Sequence, residues 1–293
     1  MTDGYPRSFG SLAAWASANR VTMSEARQRF VQYVALCGIA SVPPLRHCLV
    51  FKGGNALDFV WQPNRSTVDL DFSVDPARTE FQPGIDSLRT LLGRGLSIAT
   101  SRFGVAFAIT SLKQQPPGAE RTFITYAARV GYALPDEARL LIQMANKQNS
   151  PHMLPIDISI NEPICAATVF TIDERHEQLR VSTLEDIVSE KLRALLQQSI
   201  RGRNRKQDIL DIAVAVRVHA GLNRAQVAAF LHAKADARDV PVSKSAFRDR
   251  EIAERARVDY DALESTTRTL FIPFDEAIRT VLAFVDELPI PDN

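Results

Sequence analysis

One stretch of the chain, residues 48–74, constrains the fold most, and its sequence is CLVFKGGNALDFVWQPNRSTVDLDFSV. The apolar run 49–51 predicts a buried strand. This strand ends at Gly53 and Gly54, which let the backbone turn and leave its N–H groups uncovered by a Cβ atom. Asn55 is a favourable N-cap for the short apolar helix that follows. The stretch therefore predicts a strand, a tight turn and a helix in close succession.

Two aspartates lie in the second half of this stretch. Residues 67–74 alternate between polar and apolar side chains, which predicts a strand with Asp69 and Asp71 on one face. Two adjacent carboxylates repel each other unless a cation or a proton lies between them. Mg²⁺ held by such carboxylates and by substrate phosphates is the usual solution in proteins that handle nucleotides. The opposite, apolar face of the strand is predicted to carry Val68, Leu70 and Phe72.

The glycine pair predicts the second half of a nucleotide site. Uncovered N–H groups at the start of a helix bind phosphate well, because the helix dipole adds positive charge there. Taken alone, Gly53 and Gly54 would indicate only a turn, and Asp69 with Asp71 only an exposed strand edge. Their closeness in the chain favours a joint site for a metal ion and a nucleotide phosphate.

These motifs resemble those of a known enzyme family. G-G-N-A-L followed by R-S-T-V-D-L-D-F is similar to the first motif of the AbiEii/AbiGii nucleotidyltransferase toxins, a group that includes the MenT toxins and belongs to the DNA polymerase β-like superfamily. The resemblance extends over residues 45–215. It implies an α/β (α+β) fold with a mixed polymerase β-like sheet in residues 1–170. A C-terminal helical domain, residues 171–293, would complete the active site.

The resemblance also implies which residues bind the nucleotide and the metal. Asp157 lies in the apolar strand 154–160 and would be the third Mg²⁺ ligand beside Asp69 and Asp71. The alternative that the sequence leaves open is an aspartate that faces water at a strand edge. The residues expected at the β- and γ-phosphates are Gly53, Gly54, Asn55 and Ser66, with Lys52 or Arg65 nearby.

The later motifs E-K-L-R-A-L and R-K-Q-D-I-L-D-I match the family in the predicted helices. The resemblance implies that Lys191 contacts the triphosphate or the base and that Asp208 or Asp211 completes the site. A lysine in that position would neutralise charge on the leaving pyrophosphate. The sequence leaves open a solvated Lys191 and aspartates that pair with arginines of neighbouring helix turns.

A basic loop precedes the second of these motifs. Arg201, Arg203, Arg205 and Lys206 are expected to hold an RNA backbone, since phosphate contacts supply most of the affinity that is independent of sequence. A solvated loop is the alternative. A second basic cluster, residues 248–257, alternates with acids and predicts a salt-bridged surface.

The resemblance implies a toxin of a toxin–antitoxin pair that transfers NMP from an NTP to the 3′ end of tRNA and so blocks aminoacylation. A cognate antitoxin is the implied partner. Two alternatives remain. The enzyme could transfer the nucleotide to a hydroxyl group of a protein or a small molecule, or the chain could be a regulatory module that binds nucleotides and has little catalytic activity. The sequence identifies neither the NTP nor the acceptor.

Composition sets outer limits on these expectations. The formal net charge is +1 at pH 7, so any surface that binds nucleic acid must be a local patch. Cys37, Cys48 and Cys165 are widely spaced, which predicts buried free thiols. The chain shows no signal pattern and no apolar run of membrane-spanning length, so a cytoplasmic protein is expected. Further predicted elements are helices over 8–19, 22–37, 83–94, 183–197, 207–219 and 223–235 and strands over 105–112, 122–132 and 138–144. Thr22 with Glu25, and Thr183 with Asp186, have the spacing of helix caps, whereas the prolines at 43–44 and residues 115–118 predict turns or loops.

Overall fold

The computed structural model describes residues 4–78, 80–117, 122–175 and 177–293, and the chain forms two compact units. The first, here the sheet unit, comprises residues 1–60, 66–162 and 168–181. The second, the helical unit, comprises residues 61–65, 163–167 and 182–293. The predicted boundary near residue 170 differs from this division, because two further strands follow residue 166.

The structure contains seven strands and twelve α-helices within the described residues. The strands are β1 Leu49–Lys52, β2 Leu70–Val74, β3 Ala106–Gln115, β4 Ile124–Ala133, β5 Met153–Ile160, β6 Ala167–Thr171 and β7 Gln178–Ser182. The helices are α1 Leu12–Asn19, α2 Met23–Ala40, α3 Pro43–Cys48, α4 Gly53–Ala56, α5 Ile85–Phe103, α6 Ala138–Ala145, α7 Leu184–Leu196, α8 Lys206–Val218, α9 Arg224–Asp236, α10 Lys244–Phe247, α11 Arg250–Arg257 and α12 Phe274–Glu287.

The seven strands form one sheet in the order β3-β4-β5-β2-β1-β7-β6. β1 pairs antiparallel with β2 and parallel with β7, and β2 pairs parallel with β5. β4 lies antiparallel between β3 and β5. The sheet is therefore mixed, as predicted. Its central strands β5, β2 and β1 are the ones that carry the predicted acidic residues.

Helix α2 begins at the capping box that the sequence predicts. The Thr22 hydroxyl accepts a hydrogen bond from the backbone N–H of Glu25, and the Glu25 carboxylate accepts one from the backbone N–H of Thr22. Farther along, α2 crosses α5 where Gly38 faces Gly95. A Cβ atom added to Gly38 would lie 2.6 Å from the Gly95 carbonyl oxygen. The absence of side chains at both residues thus sets how closely the two helices pack.

Several predicted elements differ from the structure. Residues 138–144 form helix α6, and the strand prediction is wrong because the sequence A-R-L-L-I-Q-M-A consists of strong helix formers. Helix α5 continues nine residues past the predicted end at residue 94, to Phe103, and its Gly95 packs closely against Gly38 of α2. The double proline at 43–44 starts helix α3, where proline at the first positions is favourable. The predicted turn at 115–118 lies partly outside the described residues.

The helical unit follows the predicted pattern closely. Thr183 caps α7 by accepting from the Asp186 N–H, and Asn223 caps α9 by accepting from the Gln226 N–H. The basic residues of 248–257 form ion pairs with carboxylates, so the predicted salt-bridged surface is confirmed. No helix among the described residues is long and apolar enough to cross a membrane.

The three cysteines are free thiols. Cys37 and Cys48 are buried, as predicted. Cys165 is only half-buried, so the prediction of burial is wrong there. Its backbone N–H donates to the Asp186 carboxylate at 3.0 Å, an interaction that the apolar sequence context did not indicate.

Candidate active site

The glycine pair forms the first turn of α4, directly after β1. Lys52 is the N-cap of this helix, so the prediction that Asn55 is the cap is wrong. Gly53 has a φ of 73°, a left-handed conformation that glycine adopts without strain. A Cβ atom at Gly53 would lie 2.4 Å from Oδ2 of Asp71. The glycine therefore lets the backbone approach this carboxylate closely.

Strand pairing places three charged residues side by side on the sheet. Asp71 on β2 lies opposite Lys52 on β1 and opposite Asp157 on β5. Directly paired residues of neighbouring strands point to the same face, so all three side chains share one face. The structure thus brings together Asp71 and Asp157, which are far apart in sequence.

Asp69 lies just outside β2, which begins at Leu70. Both Asp69 and Asp71 are half-buried. Val68 is 55% exposed, so its predicted place on the apolar face is wrong. The reason is a bend at residues 68–69, before the alternation of the strand begins. Leu70 and Phe72 are fully buried, as predicted.

The charges of this site are perturbed in the direction that carboxylate crowding predicts. Burial, and next the charge of Asp69, raises the pKa of Asp71 to about 7, although Lys52 opposes the shift. Burial also raises the pKa of Asp157, against the opposing charge of Arg129. Two adjacent carboxyl groups with raised pKa values favour a site that a cation stabilises.

The carboxylates offer oxygen atoms suited to a hard cation. Oδ1 of Asp157 is buried and accepts no hydrogen bond from the described residues, and its nearest cationic atom is Nη1 of Arg129 at 3.8 Å. A buried carboxylate oxygen without a donor is costly unless another group satisfies it. The residues present therefore fit a divalent ion bound by oxygen atoms.

A different acidic cluster lies elsewhere in the sheet unit. Cys37, Asp173 and Glu177 have potential ligand atoms within 4.8 Å of one another, a criterion that the predicted aspartates do not meet among the described residues. However, Arg102 forms ion pairs with both Asp173 and Glu177. Because one guanidinium group already engages both carboxylates, we interpret this cluster as a structural ion-pair network rather than a metal centre.

Lys52 has an acidic partner that the sequence did not indicate. Its ammonium group forms an ion pair with Glu162, whose Oε2 also accepts from the Ser73 hydroxyl at 3.3 Å. Glu162 follows β5 directly, and only the strand register places it near Lys52. Arg129 on β4 was missed for the same reason. Both residues lie in sequence contexts without a motif.

The predicted phosphate ligands Asn55 and Ser66 contact protein groups. Asn55 is completely buried, and its amide donates to the carbonyl oxygens of Thr67 at 3.0 Å and Asp69 at 2.5 Å. The Ser66 hydroxyl lies 3.4 Å from the Asp58 carboxylate. A direct phosphate contact of either side chain stays a prediction, and the structure assigns Asn55 a role in holding the segment before β2.

Four of the predicted site residues form a buried ionic cluster within the helical unit. Nζ of Lys191 lies 2.8 Å from Oδ1 of Asp208 and 2.8 Å from Oδ2 of Asp211. Arg65 also donates to Oδ2 of Asp211, at 3.0 Å. Oδ2 of Asp208 is buried and accepts no hydrogen bond from the described residues; Arg205 lies 3.7 Å away from it. Lys191 is therefore a buried residue and not a solvated one.

The cluster stabilises the charged forms of its members. Burial by itself would lower the pKa of Lys191, but Asp208 and Asp211 outweigh it and the net shift is upward. Burial would likewise raise the pKa of Asp211, yet Lys191 and Arg65 bring it below its usual value. A lysine and an aspartate are thus kept ionised out of contact with water.

The basic loop that precedes α8 lies at the surface. Arg201 and Arg203 are exposed, whereas Arg205 and Lys206 are half-buried. Lys206 donates to the backbone carbonyl of Asp259 at 3.0 Å. The loop therefore exposes positive charge, and part of it is anchored to the helical unit.

The chain is similar to known nucleotidyltransferases in its sequence family and in its fold. A family model described as "Nucleotidyl transferase AbiEii toxin, Type IV TA system" matches residues 34–282. The crystal structure of JHP933 from Helicobacter pylori is similar at 16% identity and a TM-score of 0.51, over 90% of this chain and 91% of that chain. The crystal structure of a "putative nucleotidyltransferase" from H. pylori is similar at 15% identity and a TM-score of 0.51, over 91% of this chain and 95% of that chain. At these identities the likeness is one of fold. None of the curated proteins compared matches the chain.

Proposed function

Because the chain belongs to the AbiEii family of nucleotidyl transferase toxins of type IV toxin–antitoxin systems, we propose that it transfers NMP from an NTP to the 3′ end of tRNA. Pyrophosphate is released, and the added nucleotide blocks aminoacylation. The observation that carries the proposal is the register that sets Asp71 beside Asp157, with Gly53 against the Asp71 carboxylate. A cognate antitoxin is the partner that the family implies.

In this proposal the sheet unit binds the nucleotide and the metal. Asp69, Asp71 and Asp157 would hold Mg²⁺. When bound, the ion neutralises charge on the triphosphate and lowers the pKa of the attacking hydroxyl. The backbone N–H groups of Gly53 and Gly54 would approach the phosphates.

Lys52 and Arg65 are the two cations expected near the phosphates. Lys52 lies on the carboxylate face of the sheet, directly opposite Asp71. Arg65 is buried and donates to Asp211. This supports Lys52 as the phosphate-binding cation and Arg65 as a residue that orients Asp211.

Lys191 is proposed to contact the triphosphate or the base and to neutralise the leaving pyrophosphate. Asp211 is engaged by both Lys191 and Arg65, which supports a role in orienting the lysine. Asp208 keeps one buried oxygen without a hydrogen bond among the described residues. This supports Asp208 as the residue that accepts a hydrogen bond from a substrate.

The tRNA acceptor is supported by the exposed basic loop. Arg201, Arg203, Arg205 and Lys206 would bind backbone phosphates, so this contact would supply affinity and would not select a sequence. The charge is local, since the chain as a whole is nearly neutral.

The proposal is tested by incubating the protein with each labelled NTP, Mg²⁺ and total RNA, beside the Asp71→Asn variant. We expect label in the tRNA fraction with the wild type only. Label in protein or in small molecules would instead support the alternative acceptors. Equal labelling by Asp71→Asn would contradict the assignment of the site.

A further inference from the structure

The segment 66–69 leads into β2 without forming a strand or helix itself. Two side-chain amides hold its backbone. Gln32 donates to the carbonyl oxygen of Thr67 at 2.7 Å, and Asn55 donates to the carbonyl oxygen of Asp69 at 2.5 Å. A segment outside the sheet ladder must have its buried carbonyl groups satisfied by such donors. The position of Asp69 therefore depends on the direction in which these two amides point.

Arg29 on α2 determines that direction. Its Nη1 donates to Oδ1 of Asn55 at 2.7 Å and to Oε1 of Gln32 at 3.2 Å. A guanidinium group has only donors, so each amide turns its oxygen toward Arg29 and its nitrogen toward the segment. One planar cation thus orients both amides. The ammonium group of a lysine is a single point donor and cannot bind both amide oxygens and Asp58 in the same geometry.

The surroundings of Arg29 keep this arrangement fixed. Arg29 and Gln32 are each 1% exposed. Asp58, equally buried, accepts from Nη2 and balances the charge. The ring of Phe59 lies 3.7 Å from the guanidinium carbon. Water cannot replace a lost partner here, so each hydrogen bond of the network is costly to remove.

We propose that Arg29 is a positioning residue of the metal site: through Gln32 and Asn55 it sets the backbone that carries Asp69. This inference rests on the proposed function. Arg29 lies N-terminal to residues 34–282, the part that the family model matches. Helix α2 would thus belong to the functional site, although none of its residues carries a recognised motif.

The test measures Mn²⁺ binding by electron paramagnetic resonance, with Mn²⁺ as the probe of the divalent site and without turnover. Two variants disturb the network: Arg29→Lys, and Gln32→Met, which keeps the length of the side chain and removes the amide. We expect each to weaken Mn²⁺ affinity by about 10- to 100-fold, the usual effect of losing a partner that orients a metal ligand.

Arg102→Lys is the matched control, since Arg102 also pairs with two carboxylates in the sheet unit but donates to no group of segment 66–69. Its Mn²⁺ affinity should stay within about twofold of wild type, and the loss of unfolding free energy is measured for all variants. A positioning role predicts that Arg29→Lys loses more Mn²⁺ affinity than Arg102→Lys for the same loss of unfolding free energy. Mere destabilisation predicts the same loss of affinity in both variants. If Arg29→Lys does not fold, Gln32→Met decides the question.

Asp71→Asn separates this inference from the proposed function. If Asp71→Asn loses Mn²⁺ while Gln32→Met binds it like wild type, the positioning role is wrong and the metal site stands. If Asp71→Asn itself binds Mn²⁺ like wild type, the proposed metal site is wrong, and the inference falls with it. Equal weakening by Arg102→Lys would also overturn the positioning role.

Discussion

Replacing Gly53 by alanine tests the contact between the glycine turn and the Asp71 carboxylate. Two costs follow from the structure. The φ of 73° strains an alanine by about 1–2 kcal/mol. In addition, the new Cβ would lie 2.4 Å from Oδ2 of Asp71, where ordinary contact begins at 3.4 Å. The carboxylate must therefore move by about 1 Å, and a displacement of that size can lower activity about 100-fold.

Gly104 provides a matched control, because its φ is 72° and an added Cβ would meet Pro135 at an ordinary 3.4 Å. Chemical denaturation should give a loss of about 1–2 kcal/mol of unfolding free energy for Gly104→Ala, which bears the backbone strain alone, and a larger loss for Gly53→Ala. Nucleotide transfer from labelled NTP should fall about 100-fold in Gly53→Ala only. Wild-type transfer by a folded Gly53→Ala protein would refute the reasoning that this turn fixes Asp71.

Three further predictions concern other parts of the chain. Gly38→Ala should lower the unfolding free energy by about 1–3 kcal/mol, because its new Cβ atom meets the Gly95 carbonyl. Gly93→Ala should not lower it, since Gly93 has open space around it. Equal stability of the two variants in urea denaturation would contradict the packing argument. Lys191→Ala should cost about 3–5 kcal/mol of unfolding free energy, because the buried Asp208 carboxylate loses its ammonium partner while Asp211 keeps Arg65. The double variant Lys191→Met with Asp208→Asn should recover stability but neither activity nor toxicity to the host. Replacing all four cations of the basic loop by glutamine should leave NTP affinity unchanged. The slope of log RNA affinity against log salt concentration should become less steep by about 0.7–0.9 per lost contact. A loss of NTP affinity with unchanged RNA affinity would instead place the loop at the triphosphate.

The parts of the fold that the sequence predicts well are those with local signals. The capping box at Thr22 and the alternation of residues 154–160 depend on neighbouring residues, and both elements form as predicted. Helix α6 and the last nine residues of α5 were missed. The predicted helix ended at residue 94, whereas Gly95 lies inside α5 and allows the close approach of α2.

The candidate site divides in the same way. Asp69 and Asp71 carry a short-range motif, and the fold sets Asp157 beside Asp71 as the resemblance implied. Glu162 and Arg29 could not be predicted, because only the strand register and the packing of α2 bring them to their partners. The N-cap assignment of Asn55 was wrong since its side chain bonds to a distant segment. Long-range hydrogen bonds of this kind leave no periodic pattern in a sequence.

The most direct test of the central claim is the intact mass of purified tRNA after incubation with the protein, NTP and Mg²⁺. Our account predicts that the mass rises by whole NMP residues at the 3′ end and that amino-acid acceptance falls in proportion. Asp69→Asn and Asp71→Asn should leave the mass unchanged. An unchanged tRNA mass with the wild type, or the same increase with either variant, would contradict the account.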